Sequence, residues 1–79
     1  MTVTISTPDK LIFEGEAKLL QLPGVDGSFE VLDRHAPILS LLSKGKIRLV
    51  ENGGEERFFE IGGGLFGMAK NACRILLTA

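Results

Sequence analysis

The chain has 79 residues, enough for one compact domain over residues 1–79 and too few for a separate regulatory module. Its 44% hydrophobic and 24% charged content is that of a folded globular protein, and a net charge of −1 lacks the basic surplus that nucleic acid demands. The longest nearly apolar stretch, Ala36 to Leu42, is far shorter than the roughly 18 residues of a membrane helix, so no such helix is expected.

Met1 to Lys10 show neither a positively charged start nor an apolar run, so no secretory signal is read and a cytoplasmic location is expected. Val3 and Ile5, then Leu11 and Phe13, recur with period two, the spacing of half-buried strands, with Thr7-Pro8-Asp9 as the turn between them. Pro23-Gly24-Val25-Asp26-Gly27 is the next turn signal, and Ser43-Lys44-Gly45 follows the short apolar run Ile38 to Leu42. That run is too short for convincing helical periodicity, and a helix there is disfavoured. Ile47 and Leu49 alternate with Lys46 and Arg48, and Asn52-Gly53 predicts a type I′ hairpin pairing Lys46–Glu51 with Glu55–Ile61. In the second of these strands Phe59 and Ile61 share one face while Phe58 lies on the other with Glu56 and Glu60; surface aromatic and interface anchor are both open for Phe58. Gly62-Gly63-Gly64 and Lys70-Asn71 mark the last turns. Short strands with regularly spaced turns predict an all-β flattened sandwich or barrel.

Motifs for chemistry are missing. Gly45-Lys46 is followed by Ile47, and Ser40 stands where a phosphate-binding loop needs its first glycine. Gly62-Gly63-Gly64 precedes no helix that could supply phosphate donors and reads as a bend. One histidine, His35, and one cysteine, Cys73, do not form a zinc constellation, and Cys73 reads as a small buried hydrophobe. Asp33, His35 and Ser40 include the residue types of a hydrolytic triad, but neighbours along a strand point in alternate directions, so the coincidence carries no reaction. Glu14 and Glu16 share a strand face and read as solvated edge charges. No catalytic, cofactor or metal site is therefore expected.

Several uncommon features occur in one order: Thr7-Pro8, Phe13-Glu14-Gly15-Glu16-Ala17, Leu22-Pro23-Gly24 with Gly27 and Phe29, His35-Ala36-Pro37, Lys44-Gly45-Lys46-Ile47-Arg48, Gly63-Gly64 and Asn71. From about Val3 to Ala79 the chain resembles the N-terminal β-sandwich domain of the epsilon subunit of the F-type ATP synthase. The resemblance implies about ten short strands and a non-catalytic place in the central stalk, on the cytoplasmic face of the membrane. There the domain would join the gamma subunit to the polar loops of the c ring, so that proton-driven rotation reaches the catalytic head. It assigns gamma binding to Thr7, Asp33, Arg34, His35, Ala36 and Ser40, and c-ring binding to Asp26, Gly27, Ser28 and Phe29. Asp26 also serves as an ordinary turn residue, and the two roles are compatible.

Departures from the resemblance are specific. Arg34 stands where a glycine commonly precedes the histidine, Gly67 where an acidic strand residue is common, and Leu77 where an acidic residue often closes the domain. The helical hairpin of longer members does not follow Ala79, so neither its inhibitory reach nor a nucleotide site is expected of these residues. A free-standing β-sandwich adaptor is the competing reading that composition and turns alone permit.

Overall fold

Alternation of side chains sets the architecture. In the computed structural model, which describes residues 1–78, Val3 and Ile5 are wholly buried while Thr2 faces solvent, and this repeats in strand after strand. Eight strands form: β1 (Thr2–Ser6), β2 (Leu11–Gly24), β3 (Gly27–Leu32), β4 (Ile38–Leu42), β5 (Gly45–Glu51), β6 (Glu56–Ile61), β7 (Gly64–Ala69) and β8 (Ala72–Leu77). Ile38–Leu42 is a strand, as its length required.

Hydrogen bonding follows the order β1-β8-β7-β4-β2-β5-β6, with β3 along β2, and the β1–β2 pairing closes the circuit. Among the described residues only β1 and β8 run parallel. The 14-residue β2 belongs to both halves of this flattened structure: Leu11–Glu16 pair with β1, and Leu19–Gly24 pair with β3. Inward side chains of the two halves, such as Phe66 and Ile75 against Leu20, Leu22, Ile47 and Leu49, make one core.

Strand β2 accounts for one strand of the difference between the eight observed among the described residues and the about ten expected. A bulge between Ala17 and Leu19 shifts the register with β5. Before it the odd positions Phe13 and Ala17 turn inward; after it the even positions Leu20 and Leu22 do. One extra residue moves the whole apolar set to the other parity, so a single strand has the pattern of two.

The hairpin of β5 and β6 pairs Gly45–Val50 with Glu56–Ile61, close to expectation, but its turn is of another type. Asn52 keeps a negative φ, Gly54 takes φ +97°, and the Gly54 N–H donates to the Glu51 carbonyl at 2.9 Å. This is a three-residue loop in which Gly54 supplies the positive φ, so Asn52-Gly53 need not. The two-residue turn with both φ positive is at Lys70 (52°) and Asn71 (62°), between β7 and β8. Phe58 is exposed, with the Lys46 Nζ 5.6 Å from its ring centroid, while Phe59 packs toward the core.

Candidate docking surface

Strand β4 builds the first candidate surface. Its residues Ile38 and Leu42 turn inward, leaving Leu39 and Leu41 75% and 61% exposed. Register continues this outer face across the sheet: Leu41 lies opposite Leu65 of β7, which lies opposite Leu76 of β8, and Leu39 lies opposite Gly67, which lies opposite Arg74. Leu39, Leu65, Arg74 and Leu76, with Thr4 and Ser6 of β1, border a groove of about 310 Å³. A second hollow brings Pro8 against Leu41, Leu65 and Leu76.

The residues expected to bind gamma surround this face unevenly. Asp33 and Arg34 form the turn between β3 and β4, closed by the His35 N–H donating to the Leu32 carbonyl at 3.1 Å. Arg34 has φ +64° at the third position of that turn, the mark of a type II turn that glycine or asparagine fills most easily. Asp33 is tied down: its Oδ1 accepts from the terminal ammonium of Met1 at 2.5 Å and from Asn71 Nδ2 at 3.0 Å. His35 and Ala36 are exposed, and the His35 Nδ1 lies 2.8 Å from the Ala36 carbonyl oxygen. Ser40 is half-buried on the inward side of β4, its hydroxyl donating to the Leu41 carbonyl at 3.2 Å. Thr7 sits in the β1–β2 turn, accepting the N–H groups of Asp9 and Lys10 at 3.3 and 3.2 Å. Pro8, next to Thr7, reaches the Leu41 side of this face, and His35 precedes the other end of β4.

The second candidate is the turn joining β2 to β3. Val25 and Asp26 span it, with Gly24 paired to Gly27, and the Val25 N–H donates to the Leu41 carbonyl at 3.0 Å. A Cβ on Gly24 would stand 2.7 Å from the Gly27 carbonyl oxygen, so only glycine permits so tight a return. Asp26, Gly27 and Ser28 are exposed, and Asp26 has no ion pair among the described residues. Phe29 behaves differently: it is half-buried against the core, its ring centroid 5.9 Å from that of Phe66.

Leu41, Leu65, Leu76 and Arg74 did not emerge from the sequence as interface residues. Outward leucines on three strands become one surface only when strand order is known, because β4 and β7 are separated by the whole β5–β6 hairpin.

Among the described residues no polar or charged side chain is buried and no group of three metal-ligating side chains forms. The distinctive features of this all-β domain are therefore its apolar outer face, a surface of the kind that a partner, ligand or membrane covers, and its Asp26 turn. The whole chain, residues 1–79, matches the ATP synthase delta/epsilon chain β-sandwich domain and belongs to that family. It is 46% identical over 77 residues to the ATP synthase epsilon chain of Chlorobaculum tepidum, covering 98% of this chain and 86% of that one. With the epsilon chain of Chlorobium limicola it shares 45% over 74 residues, 94% of this chain and 83% of the relative. Membership sets it among the non-catalytic subunits of the synthase.

Two solved assemblies contain the same fold. A chain of the Euglena gracilis mitochondrial ATP synthase, solved as OSCP/F1/c-ring, superposes with a TM-score of 0.89 at 21% identity, over 95% of this chain and 48% of that one. A chain of the Tetrahymena thermophila mitochondrial ATP synthase central stalk and c ring gives 0.78 at 22%, over 99% and 63%. The chain therefore spans about half to two thirds of these larger proteins, and at such identities the likeness is one of fold.

Proposed function

We propose that the chain is a coupling piece of the rotor, docked on the gamma subunit through the outer face of β4, β7 and β8 and on the polar loops of the c ring through the Val25–Asp26 turn. It would work on the cytoplasmic face of the membrane, held there by the complex; among the described residues no helix is long and apolar enough to cross a bilayer. The apolar outer face carries this reading: Leu39, Leu41, Leu65 and Leu76 are 75, 61, 39 and 47% exposed in adjacent strands. Contiguous apolar surface is uncommon on a monomer that works alone and is usual where a partner sits.

Such a role needs rigidity and no catalytic group. Torque crosses the two contacts only if the body between them does not yield, and a close-packed interior deforms little. The geometry suits this, because the Val25 N–H and the Ser43 N–H bind the carbonyls of Leu41 and Pro23 at 3.0 and 2.8 Å, so the acidic turn is fastened to the end of β4.

The direct test adds the chain to a synthase depleted of its own epsilon subunit and measures ATP-driven proton pumping. Wild type restores pumping. Leu39→Asp, which puts a charge on the apolar face, restores it poorly while unfolding at the wild-type temperature. Equal restoration by both proteins would remove the assignment of this face.

A further inference from the structure

Arg74 is the single guanidinium of this chain without a carboxylate among the described residues. Arg34 lies 3.8 Å from Asp33, Arg48 lies 2.6 Å from Glu56, and Arg57 pairs with Glu51. Arg74 has no ion pair and no side-chain hydrogen bond among the described residues, yet it borders the apolar groove with Leu39, Leu65 and Leu76. Glu14 is in the same cross-strand row but one strand further, beyond Thr4. Glu16, its neighbour on β2, accepts instead from the Thr2 hydroxyl at 2.8 Å.

On a free surface this arrangement costs little, because water solvates the guanidinium. Covered by a partner it becomes decisive. A charge taken out of water against leucines is strongly unfavourable unless an opposite charge meets it, and a guanidinium accepts a carboxylate in a planar, two-pronged geometry. Gly67, opposite Arg74 in the register, adds no side chain of its own, and the Leu39 Cδ1 lies 3.7 Å from where its Cβ would stand, so a carboxylate would reach Arg74 along the groove that Gly67, Leu39 and Leu65 line.

We propose that Arg74 is the specificity determinant of the outer face, selecting a partner surface that is apolar except for one carboxylate placed to meet it. This deepens the gamma-docking reading and rests on it: the carboxylate belongs to gamma, and a gamma surface lacking it is rejected. The pair supplies selection, while Leu39, Leu41, Leu65 and Leu76 supply the apolar contact.

Calorimetry of the 79-residue chain with its cognate gamma subunit, at low and moderate salt, separates the two claims. Arg74→Gln should weaken binding about tenfold or more and abolish most of its salt dependence, and Arg74→Glu should weaken it further by opposing two carboxylates. Both variants should melt like wild type, since Arg74 has no ion pair among the described residues to lose. If both bind gamma as wild type does while Leu39→Asp fails to bind, gamma docks on this face and the role given to Arg74 is wrong. If Leu39→Asp also binds as wild type does, the face is not the gamma contact and the proposal falls with that reading.

Discussion

Asn71 clamps Asp33: its side-chain N–H donates to the Asp33 carboxylate at 3.0 Å, and its own oxygen accepts the backbone N–H of Arg34 at 2.7 Å. A residue in the β7–β8 turn thereby holds the corner from which His35 projects, 37 positions earlier along the chain to Arg34. Asn71 does this at φ +62°, which asparagine tolerates better than most side chains. Asn71→Gly keeps the backbone and removes both hydrogen bonds, and should cost about 1 kcal/mol of unfolding free energy. Asn71→Ala adds the backbone penalty and should cost about 2 kcal/mol. Urea unfolding of the two variants measures the difference.

Arg34 occupies the positive-φ position of the same corner with a β-carbon that a glycine would not have. Its exposed ion pair with Asp33, at 3.8 Å, offsets little of that strain. Arg34→Gly should raise stability by about 0.5 kcal/mol, the relief of the left-handed conformation less the extra freedom of glycine in the unfolded chain. Arg34→Val, branched at Cβ, should lower it by about 1–2 kcal/mol. The same order in both variants of a urea titration confirms the turn type; a stabilising valine would exclude it.

The acid limb of stability should also respond to this corner. The Asp33 carboxyl is held below the ordinary value of 3.8, first by the hydrogen bond from the terminal ammonium and then by that from Asn71. A lowered folded pKa means that the unfolded state binds the proton more readily. The stabilisation is therefore present above the unfolded value and is lost as pH falls through the folded one. Asp33→Asn, which does not titrate, should flatten the fall of the urea midpoint below about pH 4, whereas at neutral pH it should be less stable than wild type. An unchanged acid limb would mean that other carboxylates control it.

Much of this architecture is legible in the sequence because burial follows period two: Val3 and Ile5, Ile47 and Leu49, and Phe59 and Ile61 all turn inward as alternation requires. The docking surface is less legible. Asp26 stands at a turn that its own residues announce, whereas the Asp33-Arg34 turn before His35 was not among the turn signals, and the outer face joins β4 to β7 and β8, a pairing that no local pattern encodes. Alternation also hid the bulge at Ala17 to Leu19, since a change of parity in one strand and a break between two strands leave the same trace. The Asn52-Gly53 pair points to the right hairpin and the wrong turn, because Gly54 one step later can take the positive φ instead.

Asp26 in the turn and Phe29 in the strand β3 that follows it were both expected to meet the c ring, and should separate on mutation. The Phe29 ring packs on Phe66, which is completely buried, so Phe29→Ala opens a gap in the core and should cost about 3 kcal/mol of stability. Asp26 is exposed and without an ion pair among the described residues, so Asp26→Lys should leave the melting temperature almost unchanged. Its effect belongs on attachment. If the turn meets basic side chains of the ring loops, reversing its charge replaces an attraction by a repulsion, and retention of the chain on reconstituted membranes should fall. The loss should be largest at low salt, because exposed charges separated by more than the screening length of about 8 Å at physiological ionic strength hardly interact. Stripping assays over a range of salt concentrations, run beside thermal unfolding, distinguish the outcomes. A variant that melts normally yet detaches at low salt makes Asp26 a contact with the ring. Equal retention of wild type and Asp26→Lys at every salt concentration makes it a turn residue alone, and the c-ring contact must then be sought elsewhere on the chain.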